Sequence, residues 1–589
     1  MGIIMREWHD SGKRKFIIVF LVIWAVQMAA AFYFCTQKQG FHEDEYYTYY
    51  STARTNGFYV EDGQWMDRDV YRNEFVVLSG QGFQYGLVKQ VQSWDVHPPV
   101  YYWVFHTAAS FVPGVFSKWT GLAVNLALWG VNIVLLAYLA YRVSGRDEMM
   151  TLLATAFYGL SPAAMSGVVF IRMYEMLTTF VLLCALLHVW AADRMAVGKW
   201  KRLPVSRCLV PMAVVTYLGF LTQYYYFIFL FYLGAVFCLW LLWRERKIWN
   251  GIRYAICQGT AFVFACLTYP SCLSQMFRGQ RGAQATENFF DLSNTVQRLQ
   301  FFYELLDEYV FGKMLSALLL GVVLLLVTVY RQRSLRRVSA RYVSTVGETA
   351  ERNSKEADAG GKETSVALQR GNGNIQEENA GSGAAYWLLA AAVVGYFLTV
   401  SKTALLLGDT SNRYQLPVYG MIVLLLFQGI RQLVRQIVTN GRWSVQTVAR
   451  WGKYGCAAAV VLCLLIDLAG LAGGKVVFLY PEAEEQVRFA KKQAQEHTPA
   501  VYLYAPGAEW CIWAVTEELL AYPKVYFASA DDEKALMDAE IQGADALVVY
   551  VADGVDQETQ TDRILRSNAQ VSDDELMFEN KYCEVYYFQ

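Results

Sequence analysis

The chain reads as an all-α polytopic membrane protein of about 11 transmembrane helices, closed by a small α/β domain at its C-terminal end. Three observations predict this. The sequence is 55% hydrophobic and 15% aromatic but only 17% charged, against roughly 25% charged in soluble proteins. Its apolar residues gather in runs of about 20, long enough to cross a bilayer as helices. The polar residues concentrate in one early loop, one internal stretch and the C-terminal region.

The expected spans are 15–35, 118–142, 149–168, 173–192, 208–222, 224–243, 252–272, 312–330, 385–405, 415–432 and 453–473. The first follows Lys13-Arg14-Lys15. It exceeds a signal-peptide core and no small-x-small cleavage pattern follows it, so it is expected to remain as an anchor. A further apolar stretch, 98–113, is short and ends at Pro113-Gly114. If it does not cross, the basic loops holding Arg142 and Arg146, Arg194 to Arg207, Arg244 to Arg253, Arg331 to Arg341 and Arg431 to Lys453 all fall on the cytoplasmic side. Positive charge favours that side. The stretch is therefore expected to lie in the interface, with Tyr101, Tyr102 and Trp103 at headgroup level. The N-terminus is then cytoplasmic, and the C-terminal domain and any site at the loop ends are extracytoplasmic.

This divides the chain into a membrane domain, 1–473, and an extracytoplasmic α/β domain, 474–589. Within the first lie the outer loop 36–117 and the segment 331–384, too poor in apolar residues to bury a core and expected to be a disordered cytoplasmic linker. In the second, β-rich runs at 501–504, 525–529, 546–551 and 583–588 alternate with helical patterns near 508–521 and 531–542. A net charge of −1 excludes a surface that coats nucleic acid. The 11 cysteines are scattered without a Cys-x-x-Cys pair, which argues against a zinc site. Only Cys511 and Cys583 have a soluble context, and the spacing leaves a bridge between them open.

Several polar strings interrupt the apolar pattern. Phe41-His42-Glu43-Asp44-Glu45-Tyr46-Tyr47 follows the first span. An acidic cap after a span is commonplace, yet carboxylates held beside a bilayer are costly unless they are used. In Trp94-Asp95-Val96-His97-Pro98-Pro99, the proline pair fixes an extended turn and lets Pro99 open a helix, with His97 beside Asp95. Phe170-Ile171-Arg172-Met173-Tyr174-Glu175 opens the fourth span; an arginine there commonly snorkels, and Glu175 is a second acid within its reach. Arg278 and Arg281 stand in outer loop 273–311 against the charge trend, which invites an anionic ligand. Arg413-Tyr414 precedes the tenth span. Gln223-Tyr224-Tyr225-Tyr226 reads as an interfacial aromatic belt before a sugar platform. All of these strings fall on the outer face, although none entered the charge argument.

In order and spacing these strings resemble the GT-C superfamily of membrane glycosyltransferases, particularly its protein O-mannosyltransferase and aminoarabinose-transferase-like (family 39-type) branch. The likeness is best over 15–230, patchy to about 430 and absent from the C-terminal domain. It implies an inverting enzyme that moves one sugar from a polyprenyl-phosphate donor to an extracytoplasmic glycan, lipid or protein in the cell envelope. It implies Asp44 as the catalytic carboxylate, with Glu45 orienting it or helping to bind a divalent ion. Asp95, His97, Arg172, Tyr174, Arg278, Arg413 and Tyr414 would line the donor phosphate and substrate pocket. Transfer to a hydroxyl needs one base, and a phosphate leaves without a general acid, so one carboxylate suffices where glycosidases use two. No cofactor is required on this resemblance, although Glu43, Asp44 and Glu45 could hold a divalent cation. A lipid-linked sugar transporter or flippase shares the many-span architecture but should carry ionisable groups within its spans and inverted repeats. A non-catalytic envelope scaffold would be indifferent to Asp44→Asn.

Overall fold

The computed structural model describes residues 14–53, 60–245, 248–354, 373–440, 445–532, 536–580 and 582–589. Among the described residues, seven helices are by themselves long and apolar enough to cross a membrane: Arg14–Gln37, Lys118–Val143, Tyr174–Ala196, Tyr225–Arg244, Leu315–Arg336, Gly383–Thr403 and Leu416–Thr439. Two bent pairs, Glu148–Gly159 with Pro162–Val169 and Trp249–Thr268 with Ser271–Phe277, raise the number to nine. The two other expected spans fall on the shorter apolar helices Val205–Phe220 and Ala458–Ala472. The expected eleven therefore stand at seven to nine by length and hydropathy.

Both bends have the same origin. Proline drives the residue before it out of the helical region: Ser161 is extended before Pro162, and Tyr269 is non-helical before Pro270. The first pair bends by 59° and the second by 101°. At the first, Ser161 restarts the chain by accepting a hydrogen bond from the Ala164 amide, a serine N-cap ahead of a proline at the first helical position.

The stretch 98–113 forms an 11-residue helix, Val100–Ser110, far too short to span at about 1.5 Å per residue. Tyr101 and Tyr102 are fully buried in the protein, not at its surface as expected. Only Trp103 is partly exposed, its indole donating to the Tyr85 carbonyl. The tyrosines face inward because the helix packs between the loop helix Glu43–Ala53 and the span Lys118–Val143.

The C-terminal sheet has six strands: β1 (Gln64–Asp67), β2 (Ala500–Tyr504), β3 (Lys524–Ser529), β4 (Leu547–Ala552), β5 (Asp574–Glu579) and β6 (Cys583–Phe588), in the order β1-β3-β2-β4-β6-β5. Strand β2 runs parallel to β3 and β4 at its centre, while β1, β6 and β5 pair antiparallel. The central strands are buried on both faces, as strands in a parallel sheet require. Four of the six match the expected runs. The other two are edges, and β1 comes from loop 36–117, so the sequence boundary at 473 does not bound the folded unit. The helical pattern near 531–542 yields only Ala539–Gln542, with 533–535 outside the described residues. Cys511 and Cys583 are buried free thiols with no bridge between them.

The linker expected over 331–384 is helical at both ends. Residues 331–354 continue the helix Leu315–Ser354, and 373–384 open the helix Gly373–Thr403; 355–372 lie outside the described residues.

Candidate active site

The loop helix Glu43–Ala53 begins three carboxylates together, which suits the positive end of a helix dipole. Its start is a capping box. The His42 ring Nδ1 accepts from the Asp44 amide at 3.1 Å, and the Glu45 carboxylate reaches back to the His42 amide at 2.6 Å. Tyr46 and Tyr49, three residues apart, share one buried face against Phe41, Phe105, Phe116 and Phe75. Tyr47 and Tyr50 face the other way and meet Trp513 of the C-terminal domain at 4.5 and 4.7 Å. The helix is thus fixed from both sides, and this aims Asp44.

Asp44 sits between two buried guanidiniums. Its Oδ2 lies 2.9 Å from Nη1 of Arg413, and its Oδ1 lies 3.7 Å from Nη2 of Arg172. Burial alone would raise its pKa, but the charges of Arg413 and Arg172, with smaller help from His42 and His97, hold it well below the ordinary carboxylate range. Its side chain keeps 27% of its exposure, so the carboxylate remains reachable from outside. Arg172 also donates to Thr48 at 3.1 Å and Tyr102 at 2.9 Å. His97 stacks its contacts on the same side, with Nδ1 at 3.2 Å from Asp95 and 3.4 Å from Arg172. Burial, then the nearby Arg172 charge, lowers the His97 pKa against the pull of Asp95.

The 170–172 turn is pinned by residues with no signal in the sequence. Asn125 donates to the carbonyls of Val168 and Phe170, at 3.1 and 2.6 Å. Thr48 donates to the Ile171 carbonyl at 3.2 Å. Gly121 lies so close that a Cβ there would meet Ile171 Cγ2 at 2.1 Å. Glu175 does not compete for Arg172: it turns to Asn132, 2.7 Å away. Arg413 is cradled by Phe170 and Tyr414, whose rings lie 5.4 and 5.1 Å from its guanidinium carbon. Tyr174 packs on Phe170 and edge-on to Tyr414, and Tyr225 closes the aromatic wall. Tyr225 thus lines the site, whereas Tyr226 is buried in the protein; neither forms an exposed belt.

Seven of the nine expected residues therefore converge: Asp44, Asp95, His97, Arg172, Tyr174, Arg413 and Tyr414. Glu45 is adjacent in sequence but points inward, fully buried, with Oε1 accepting from the Ile171 amide at 2.7 Å and Oε2 from Lys38 at 2.9 Å. Both oxygens are committed to the fold, so Glu45 does not face the guanidiniums beside Asp44. Arg278 also departs from expectation. It is exposed at the end of the helix Ser271–Phe277, and no interaction among the described residues joins it to the Asp44 cluster. Among the described residues no group of three His, Cys, Asp or Glu side chains is placed to hold a metal ion.

Polar donors remain. Nε of Arg172, Nε of Arg413 and the buried amide of Asn412 have no hydrogen-bond partner among the described residues. Buried donors are normally satisfied, and a group of them around a cationic pair is suited to the several oxygens of an anion.

No family model and no curated protein matches the sequence. Among solved structures, the chain is similar to ArnT from Cupriavidus metallidurans bound to undecaprenyl phosphate, at 12% identity and a TM-score of 0.44, over 97% of both chains. The apo state of the same protein gives 12% and 0.45 over 97% of both chains. The archaeal oligosaccharyltransferase AglB from Archaeoglobus fulgidus, in complex with an inhibitory peptide and a dolichol-phosphate, gives 10% and 0.41, over 95% of this chain and 71% of that one. Likenesses this distant leave the reading of the site to its own geometry.

Proposed function

We propose that the protein is a membrane glycosyltransferase of GT-C type that moves a single sugar from a polyprenyl-phosphate donor to an extracytoplasmic acceptor, with inversion. The observation that carries this reading is the Asp44 carboxylate held between Arg172 and Arg413, next to His97 and an aromatic wall. Two guanidiniums suit a phosphate, and the carboxylate suits an acceptor hydroxyl.

On this reading the events follow in order. Without a donor, Asp44 neutralises the two arginines and is a weak base. A donor phosphate competes for the same guanidiniums, which frees Asp44 and raises its affinity for a proton. The base then removes the acceptor proton as the hydroxyl oxygen attacks the anomeric carbon from the face opposite the phosphate. The C–O bond to the phosphate breaks with its electron pair staying on the leaving oxygen, where Arg172, Arg413 and His97 stabilise the charge. The guanidiniums bring the positive charge a divalent ion would otherwise supply, so transfer is expected to survive chelation with EDTA.

The test is transfer from a radiolabelled polyprenyl-phosphate hexose in membranes. Loss of the base should lower transfer by Asp44→Asn about 100- to 10,000-fold at equal protein level. Equal transfer by wild type and variant would end the assignment.

A further inference from the structure

We propose that Lys38 is a positioning residue, which with Glu45 forms a buried strut setting the distance between Asp44 and Arg172; this rests on the catalytic reading above. Neither Lys38 nor Glu45 has any exposed side-chain surface. The Lys38 ammonium donates to Glu45 Oε2 at 2.9 Å and to the Phe478 carbonyl at 2.7 Å. Glu45 in turn accepts from the amides of His42 and Ile171. One ion pair thus ties together the end of the first span, the start of the loop helix, the 170–172 turn and the chain leaving the last span.

The two ends of this strut are the immediate neighbours of the reacting groups. Asp44 precedes Glu45, and Arg172 follows Ile171. A shift of Glu45 therefore moves the carboxylate and the guanidinium relative to each other. The Phe478 end is equally well seated, its ring stacked on Phe170 at 4.0 Å and edge-on to His42 at 5.7 Å. Phe170 also supports Arg413. The chain after the last span is thereby built into the site at its back.

A merely structural role must be distinguished from positioning. Burying an ion pair is seldom a net gain in stability, and an apolar pair of similar size is often as stable, whereas breaking one partner is strongly destabilising. Purified full-length protein in lipid nanodiscs would be assayed as Lys38→Met, Glu45→Gln, the double variant, Lys38→Arg and Asp44→Asn, for thermal unfolding and for kcat and KM toward the polyprenyl-phosphate donor. Each single neutral variant is expected to unfold at a lower temperature, and the double variant to recover the part due to the unpaired charge but not the amide hydrogen bond that Glu45→Gln gives up. Turnover should not recover: kcat of the double variant should stay down by about 100-fold, the order expected for a misplacement near 1 Å, with KM changed far less. Lys38→Arg should retain more turnover than Lys38→Met. A double variant with wild-type kcat, while Asp44→Asn is inactive, would overturn the strut alone. Wild-type turnover by Asp44→Asn would overturn the catalytic reading and the strut with it.

Discussion

At the scale of single residues, the site is a balance of charge around one carboxylate. Arg413 and Arg172 hold Asp44 below the ordinary 3.8 of an aspartate. Asp44 therefore remains ionised to lower pH than usual in the free enzyme, and the acidic limb of kcat/KM is expected below pH 3.8. Donor phosphate draws the guanidiniums away, so the acidic limb of kcat should lie higher; pH–rate profiles of the two parameters check this. Limbs that coincide would mean the donor leaves the arginines on Asp44. Arg413→Lys keeps the charge but loses the planar fork, and it should raise donor KM by about 10- to 100-fold, the worth of a charged hydrogen bond. The residues readable in the sequence were those out of place there: acids, a His-Pro-Pro turn and arginines at span ends. Lys38, Asn125 and Thr48 were not readable, because an amine, amide or hydroxyl near a span end has many ordinary uses. The anomalous charge of Arg278 was equally readable, but it is exposed, and no interaction among the described residues joins it to Asp44.

At the scale of elements, the 170–172 turn and the short helix Thr516–Leu519 make opposite demands. The turn depends on an absent side chain: Gly121→Ala would drive a methyl into Ile171 and displace the turn. It is expected to lower kcat by about tenfold or more while the protein still inserts, measured as transfer per unit of membrane-extracted protein. In the helix, burial pushes Glu518 up to about 8 from an ordinary 4.5, with neighbouring Glu517 adding to the effect. A raised carboxyl favours the protonated form in the folded state, so this group weakens folding increasingly as pH climbs from 4.5 towards 8. Glu518→Gln should leave the melting temperature unchanged near pH 4 and raise it at pH 8. Helices and central strands were legible because their apolar periods are strong. Strand β1, four residues reading Gln-Trp-Met-Asp, was not: its pattern becomes a strand only against β3, which lies far along the chain.

At the scale of the whole molecule, the outer loop, the 170–172 turn, Tyr225, the 410–414 segment and the chain at Phe478 meet at one end of the helical bundle. The topology read from loop charges puts that end on the extracytoplasmic side, which is a proposal to be tested. Orientation can be checked by placing a cysteine at Gly554 in the C-terminal domain and labelling whole cells with a membrane-impermeant maleimide; labelling is expected, and protection would invert the topology. Deleting 476–589 is expected to abolish transfer and not merely to change acceptor choice, since it removes the Phe478 end of the strut and the sheet that β1 joins. Strand β1 sets a schedule for biosynthesis as well. At ~5–20 residues per second, its partner β3 emerges about 20 to 90 s after it, and until then the loop carrying Asp44 has an unpaired edge. The loop that carries Asp44 is thus made early and completed late, so a chain cut short before β3 leaves that loop without the strand that anchors it.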